Sequence, residues 1–251
     1  MKRLLCLTGL LLLLAACGRR GALLPPEALV PAPIADLQVA QRGEDFELSW
    51  SRPTKTEKGL PLKDLAGFSL FRRVVLPPGE DCPNCPDSWR PLLGIDLEFP
   101  QGVRQAGNRF IVADADLQTG TTYAYQVRSY NLERATSRAS NTVRRTAQTP
   151  PTPPTLQAVS SPTAIILTIS PAPLPAPGSV VGANIYRQKP GEPPPLKPLN
   201  PEPVPANTFT DSTVRPGESY RYTARTVARI GGEMVESRPS SEVNGQLTEP
   251  D

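Results

Sequence analysis

The strongest constraint on this chain is an internal repeat, because blocks that recur in fixed order imply one supersecondary plan built twice. Val112-Ala113-Asp114 is followed by Leu117, Gly120, Tyr123 and Tyr125; Phe209-Thr210-Asp211 is followed by Val214, Gly217, Tyr220 and Tyr222 at identical spacing. Upstream, Gly67-Phe68-Ser69-Leu70-Phe71-Arg72 matches Gly182-Ala183-Asn184-Ile185-Tyr186-Arg187. Downstream, Ser137-Arg138-Ala139-Ser140 matches Ser237-Arg238-Pro239-Ser240, and near the start Leu37-Gln38 matches Leu156-Gln157.

Each block alternates with the period of a half-buried strand. Phe46, Leu48 and Trp50 alternate with Glu47, Ser49 and Ser51; Ile165, Leu167 and Ile169 do the same in the second copy. Tyr123, Tyr125 and Val127 share a face opposite Ala124, Gln126 and Arg128. The 32 prolines argue against long helices and for short strands joined by extended turns. The expected fold class is therefore all-β, two tandem β-sandwiches.

These residues resemble the fibronectin type III family. Trp50 followed by Pro53 fits that family, and so does the aliphatic-x-x-Gly-x-x-Tyr block. The resemblance implies immunoglobulin-like sandwiches over 33–148 and 155–247, with Tyr123 and Tyr220 forming tyrosine corners. Ile169 stands where Trp50 would be, the first copy carries insertions around 54–66 and 77–91, and prolines dilute the second copy's middle strands. The Pro-rich linker 149–154 is expected to hold the sandwiches apart as a semi-rigid rod. The prolines from Pro190 to Pro205 read as a loop blunting a sheet edge, with a dock for a proline-recognition partner as the alternative.

Residues 1–16 have the layout of a secretory signal peptide: Lys2-Arg3, an apolar core from Leu4 to Leu14, then small residues. Leu14-Ala15-Ala16-Cys17 resembles the lipobox of bacterial lipoproteins. That resemblance implies cleavage before Cys17, lipidation of its sulfur and acylation of the new amino terminus. Residues 17–32 are then a lipidated cysteine and tether. By resemblance to sorting rules in Gram-negative bacteria, Gly18 implies the outer membrane and leaves the occupied face open.

Lys2 and Arg3 leave with the signal, so 27 basic residues become 25 against 24 acidic ones. Near-neutral charge gives no reason to expect nucleic acid. The absence of histidine excludes Ser-His-Asp and Cys-His catalysis and any imidazole metal site.

Cys82-Pro83-Asn84-Cys85 is the remaining pair with chemical promise. Three states compete. A redox thiol wants a helix N-terminus, which a Pro/Gly loop with acids nearby does not supply. A metal site needs about four ligands, of which this motif offers two. Export to an oxidising compartment favours a disulfide closing a small loop, which should affect local shape more than global stability.

The expectation is a non-enzymatic, lipid-anchored envelope protein without cofactor or metal. It would be held to the membrane through Cys17 and would bind or scaffold a protein or envelope polysaccharide. The alternative is a redox or metal protein built on Cys82 and Cys85. Candidate contact surfaces are the 54–66 and 77–91 loops and the turn from Arg229 to Glu233. Arg72-Arg73 and Arg144-Arg145 are either solvated or ligands for anionic polymers.

Overall fold

The computed structural model describes residues 29–249 apart from Pro86, Pro175, Ala176 and Ala206. The signal peptide, Cys17 and most of the tether lie outside the described residues. Within them, no residue is helical.

The first copy contains β1 (Gln38–Arg42), β2 (Asp45–Ser51), β3 (Leu65–Val74), β4 (Arg90–Asp96), β5 (Arg104–Ala106), β6 (Arg109–Asp114), β7 (Thr122–Asn131) and β8 (Val143–Thr146). They form two facing layers, β1–β2–β6–β5 and β4–β3–β7–β8. The second copy contains β9 (Thr155–Ser160), β10 (Ile165–Ser170), β11 (Ser179–Gln188), β12 (Thr208–Asp211), β13 (Ser219–Ile230), β14 (Glu233–Glu236) and β15 (Val243–Gln246). There β12–β10–β9 faces β11–β13, and β14 and β15 both pair with β13. The fold is all-β, a β-sandwich built twice.

The alternation seen in the sequence sets the two cores. Phe46, Leu48 and Trp50 on β2 are fully buried and pack against Phe68, Leu70, Tyr125 and Val127 from the facing sheet. In the second copy Ile165, Leu167 and Ile169 meet Ile185, Tyr222 and Ala224. Full burial of a large apolar side chain is worth roughly 1.5–3 kcal/mol, so these stripes are the main reason each strand lies where it does.

Two of the repeated blocks are backbone devices. Gly67 and Gly182 each follow a break in register, on β3 and β11 respectively. A side chain at Gly67 would run into the Ile95 carbonyl and Tyr130, and one at Gly182 into the Val204 carbonyl. Only glycine lets the neighbouring segment approach so closely. The Ser-Arg-x-Ser blocks edge the long strands β7 and β13. Ser137 and Ser140 accept from the Ser129 and Val127 N–H groups, and Ser237 and Ser240 accept from Thr226 and Ala224. Their own N–H groups return bonds to the same strands, so hydroxyls complete a ladder where the chain kinks.

The two sandwiches are not held apart. Strand β13 extends to Ile230, and Gly231 and Gly232, both at positive φ, turn the chain into β14. The outer edge of β14 then pairs in parallel with β1, Gln41 opposite Val235 and Arg42 opposite Glu236. One sheet therefore runs through both copies. This overturns the rod expected of the 149–154 linker. Pro151 and Pro154 are buried, and the Thr152 carbonyl accepts from Thr226 Oγ1. Two edges that would otherwise expose unpaired backbone satisfy each other, and the linker folds back to allow it.

Candidate functional site

The repeated Arg, Asp and Tyr residues converge into the same cluster in each copy. Tyr125 donates to Asp114 at 2.7 Å, and Arg72 Nη1 bridges to Asp114 at 2.9 Å while lying over the Tyr123 ring. In the second copy Tyr222 donates to Asp211 at 2.8 Å, and Arg187 Nη1 reaches Asp211 at 2.8 Å while lying over Tyr220. Tyr123 and Tyr220 accept backbone N–H bonds from Gln118 and Arg215, the tyrosine-corner arrangement.

Burial and the Asp114 hydrogen bond push the Tyr125 hydroxyl well above its ordinary value; burial and Asp211 do the same to Tyr222. Burial alone would raise Asp211, but bonds from Thr213 and Tyr222 and the Arg187 charge leave its carboxyl lowered. Every polar group here is answered by another, which makes the cluster a packing device for two sheets.

A second cluster organises the 77–91 loop around Arg73, whose side chain is only 3% exposed. Its guanidinium pairs with both carboxylate oxygens of Asp81 and lies beneath the Trp89 ring. Asp81 also accepts from the Leu76 N–H, while the Pro83 carbonyl accepts from Ser88 Oγ and Trp89 Nε1. Cys82 and Cys85 are joined as a disulfide within this loop. Neither cysteine sits at a helix terminus, and the Arg73 cation beside this loop is paired with Asp81. Among the described residues, no group of three or more His, Cys, Asp or Glu is placed to hold a metal ion.

The third cluster is the junction between the copies, centred on Glu236. Its carboxylate accepts from Asn184 Nδ2 at 2.6 Å and Tyr186 Oη at 2.9 Å, and pairs with Arg42 across the junction at 3.3 Å. Arg42 also pairs with Glu47 at 3.0 Å and, with Arg225, flanks the Tyr186 ring. Burial and Glu236 raise the Tyr186 hydroxyl, and burial lowers the Arg225 guanidinium. The proline-rich segment crosses the junction as well. Arg42 donates to the Leu196 carbonyl and Arg104 to that of Pro194. Beside this strap lies an open cleft of about 760 Å³ lined by Gln38, Arg42, Ser49, Arg109, Arg144 and Lys197, among others.

The sequence-named positions divide accordingly. Cys17 lies outside the described residues. Arg72, Arg73 and Arg145 are engaged by Asp114, Asp81 and Glu233 respectively, which leaves Arg144 exposed. The turn after Arg229 faces the first copy: Arg145 donates to the Met234 carbonyl, and Gly231 lies against Gln148. Glu236, Arg42 and Tyr186 were not singled out as site residues from the sequence. The available signal was the long β13 pattern running past its counterpart on β7.

No known protein-family profile matches the chain. No curated protein is detectably similar to it in sequence. Among solved structures, the fibronectin type III domains FN1–FN3 of chicken CNTN1 align with 86% of this chain and 67% of that one, at 14% identity and a TM-score of 0.33. At that level the likeness carries no argument of its own; the strand topology above defines the fold.

Proposed function

We propose that this chain is a non-enzymatic, lipid-anchored envelope protein that binds or scaffolds a protein or polysaccharide partner through its joined sandwiches. The observation that carries the reading is the junction: a sheet continuous through both copies, closed by Arg42, Glu236 and the 194–197 strap. A body of this kind presents fixed loops at a fixed separation, which suits display better than turnover. The buried Asp, Arg and Tyr side chains are mutually engaged, and the Cys82–Cys85 loop is organised as a structural element. Cys17, read with the residues before it, supplies the anchor, and Gly18 suggests the outer membrane. Two or more acyl chains are needed for durable attachment, a condition met by the full set of modifications the lipobox implies.

The test is Cys17→Ser expressed from the native precursor. The parent protein should sediment with membranes and carry a lipid mass adduct, whereas the variant should move to the soluble fraction. A variant that stays membrane-bound, or a parent without the adduct, would overturn the anchor. Cross-linking in intact cells followed by mass spectrometry then reads out the partner.

A further inference from the structure

The described chain begins at one end of the first sandwich. Glu57 N–H donates to the Val30 carbonyl at 2.9 Å and Ala32 N–H to that of Lys55 at 2.9 Å, so the incoming segment is stitched to the 54–66 loop. Asn131 Nδ2 reaches the Leu29 carbonyl at 3.5 Å, and Leu132 N–H donates to that of Asp64 at 2.9 Å. The turn after β7 therefore occupies the same end. Two large apolar side chains project from it, Leu132 at 73% exposure and Leu60 at 36%. Around them Lys55, Lys58, Lys63 and Arg134 are exposed. Of the nearby carboxylates, Glu57 is paired with Arg138 at 2.9 Å, while Asp64, which accepts from Asn131 at 3.0 Å, and Glu133 stand as two negative charges against those four cations.

Protruding leucines ringed by exposed cations match a phospholipid surface, where apolar tips enter the interface and ammonium or guanidinium groups meet phosphates. The length of chain before this end argues for the same occupant. Eleven residues separate Cys17 from Leu29, a span of roughly 20 Å for a coil and ~37 Å for an extended polyproline-type chain. A contact too weak to hold a free protein becomes effective when a short tether makes it intramolecular. We infer that this end of the first sandwich rests on the phospholipid headgroup surface, with Leu60 and Leu132 in the interface, so that the second sandwich is held outward. The inference rests on the lipid-anchor reading and adds an orientation to it.

The test uses the lipidated full chain reconstituted into vesicles of phosphatidylethanolamine and phosphatidylglycerol. Spin labels are placed by Leu132→Cys, by Leu60→Cys and, as a distant reference, by Val159→Cys, whose parent residue is 61% exposed on the second copy. All three sites are exposed, so the fold is not at risk. Labels at 132 and 60 should relax several-fold less with a water-soluble nickel complex than the label at 159, and should respond more strongly to dissolved oxygen. Equal nickel accessibility in protein that floats with the vesicles would overturn the orientation and leave the anchor standing. Failure to float would remove the anchor and the orientation together. Protection at 132 that persists in detergent without vesicles would mean a protein contact and would also overturn it.

Discussion

The two copies close the same sheet edge by different means. In the first, β4 pairs with β3 over most of its length, Phe68 opposite Ile95 and Leu70 opposite Leu93. Behind that pairing the rings of Trp50, Phe68 and Phe110 pack with centroids 4.7 to 6.3 Å apart. In the second, Ile169 and Ala183 replace Trp50 and Phe68, and beside β11 the proline-rich segment makes an isolated backbone bridge, Val204 with Ala183, in place of a paired strand. Its substitute is local. Leu199 N–H donates to the Ile185 carbonyl, and buried Asn200 accepts from Ile185 N–H at 2.7 Å and donates to the Ala183 carbonyl at 3.2 Å.

A side-chain amide thus imitates a backbone where proline cannot donate. The trade runs both ways. Among the described residues Trp50 Nε1 is buried with no hydrogen-bond partner, a cost of roughly 1–3 kcal/mol that Ile169 does not carry.

What the copies share should matter most. Asp114→Ala would leave Arg72 and Tyr125 facing a vacancy, and Asp211→Ala would do the same to Arg187 and Tyr222. Both aspartate side chains are only 2% exposed, so each change should cost about 3–5 kcal/mol in urea unfolding. A loss below about 1 kcal/mol in one copy would break the equivalence between them. Acid sharpens the comparison. The Asp211 carboxyl is lowered in the folded state, so its contribution is complete above the unfolded value near 4 and is lost as pH falls through the folded value. Folding stability of the second copy should fall on acidification below about pH 4, and Asp211→Asn should flatten that dependence.

The shared cluster was legible because its residues recur at fixed spacing, and Phe46, Leu48, Ile165 and Leu167 were legible because burial follows a period of two. The junction was not. Which edge meets β14 depends on how far β13 overruns its sandwich and where Gly231-Gly232 turns it; the β13 alternation carries the overrun but not the edge it reaches. For the same reason the linker read as a rod: proline composition sets local stiffness, whereas Pro151 and Pro154 are buried and Thr152 between them is bonded by Thr226, far along the chain. The ion pairs of Arg72, Arg73 and Arg145 were hidden, and these residues read as solvated or polymer-binding, because their partners, Asp114, Asp81 and Glu233, lie on other strands or loops.

What the copies do not share should matter next. Asn200→Ala removes the amide that serves both Ile185 N–H and the Ala183 carbonyl; the carbonyl keeps its bond from Val204 N–H, whereas Ile185 N–H loses its acceptor. The expected loss is about 1–3 kcal/mol, with faster amide exchange at Ile185 and none at Leu70, its counterpart on β3. Unchanged exchange at Ile185 would show that the proline segment closes the edge without Asn200.

The smallest effect belongs to the feature of the first copy with the most chemical promise. Cys82→Ser with Cys85→Ser opens a ring formed across a sequence separation of 3. Loop-closure entropy for so short a ring amounts to less than about 2 kcal/mol. The loop also has other attachments: Arg73 holds Asp81 from one side and Trp89 from the other, and Pro83 accepts from Ser88 and Trp89. The double variant should therefore keep nearly the parent thermal midpoint and a Trp89 indole N–H still slow to exchange. Arg73→Met, with the disulfide intact, should loosen that indole, because it removes the guanidinium that both pairs with Asp81 and packs on the Trp89 ring. If instead the double serine variant melts far below the parent, the disulfide bears on the fold of the first copy, and the second copy, which has no counterpart to it, is held by different physics.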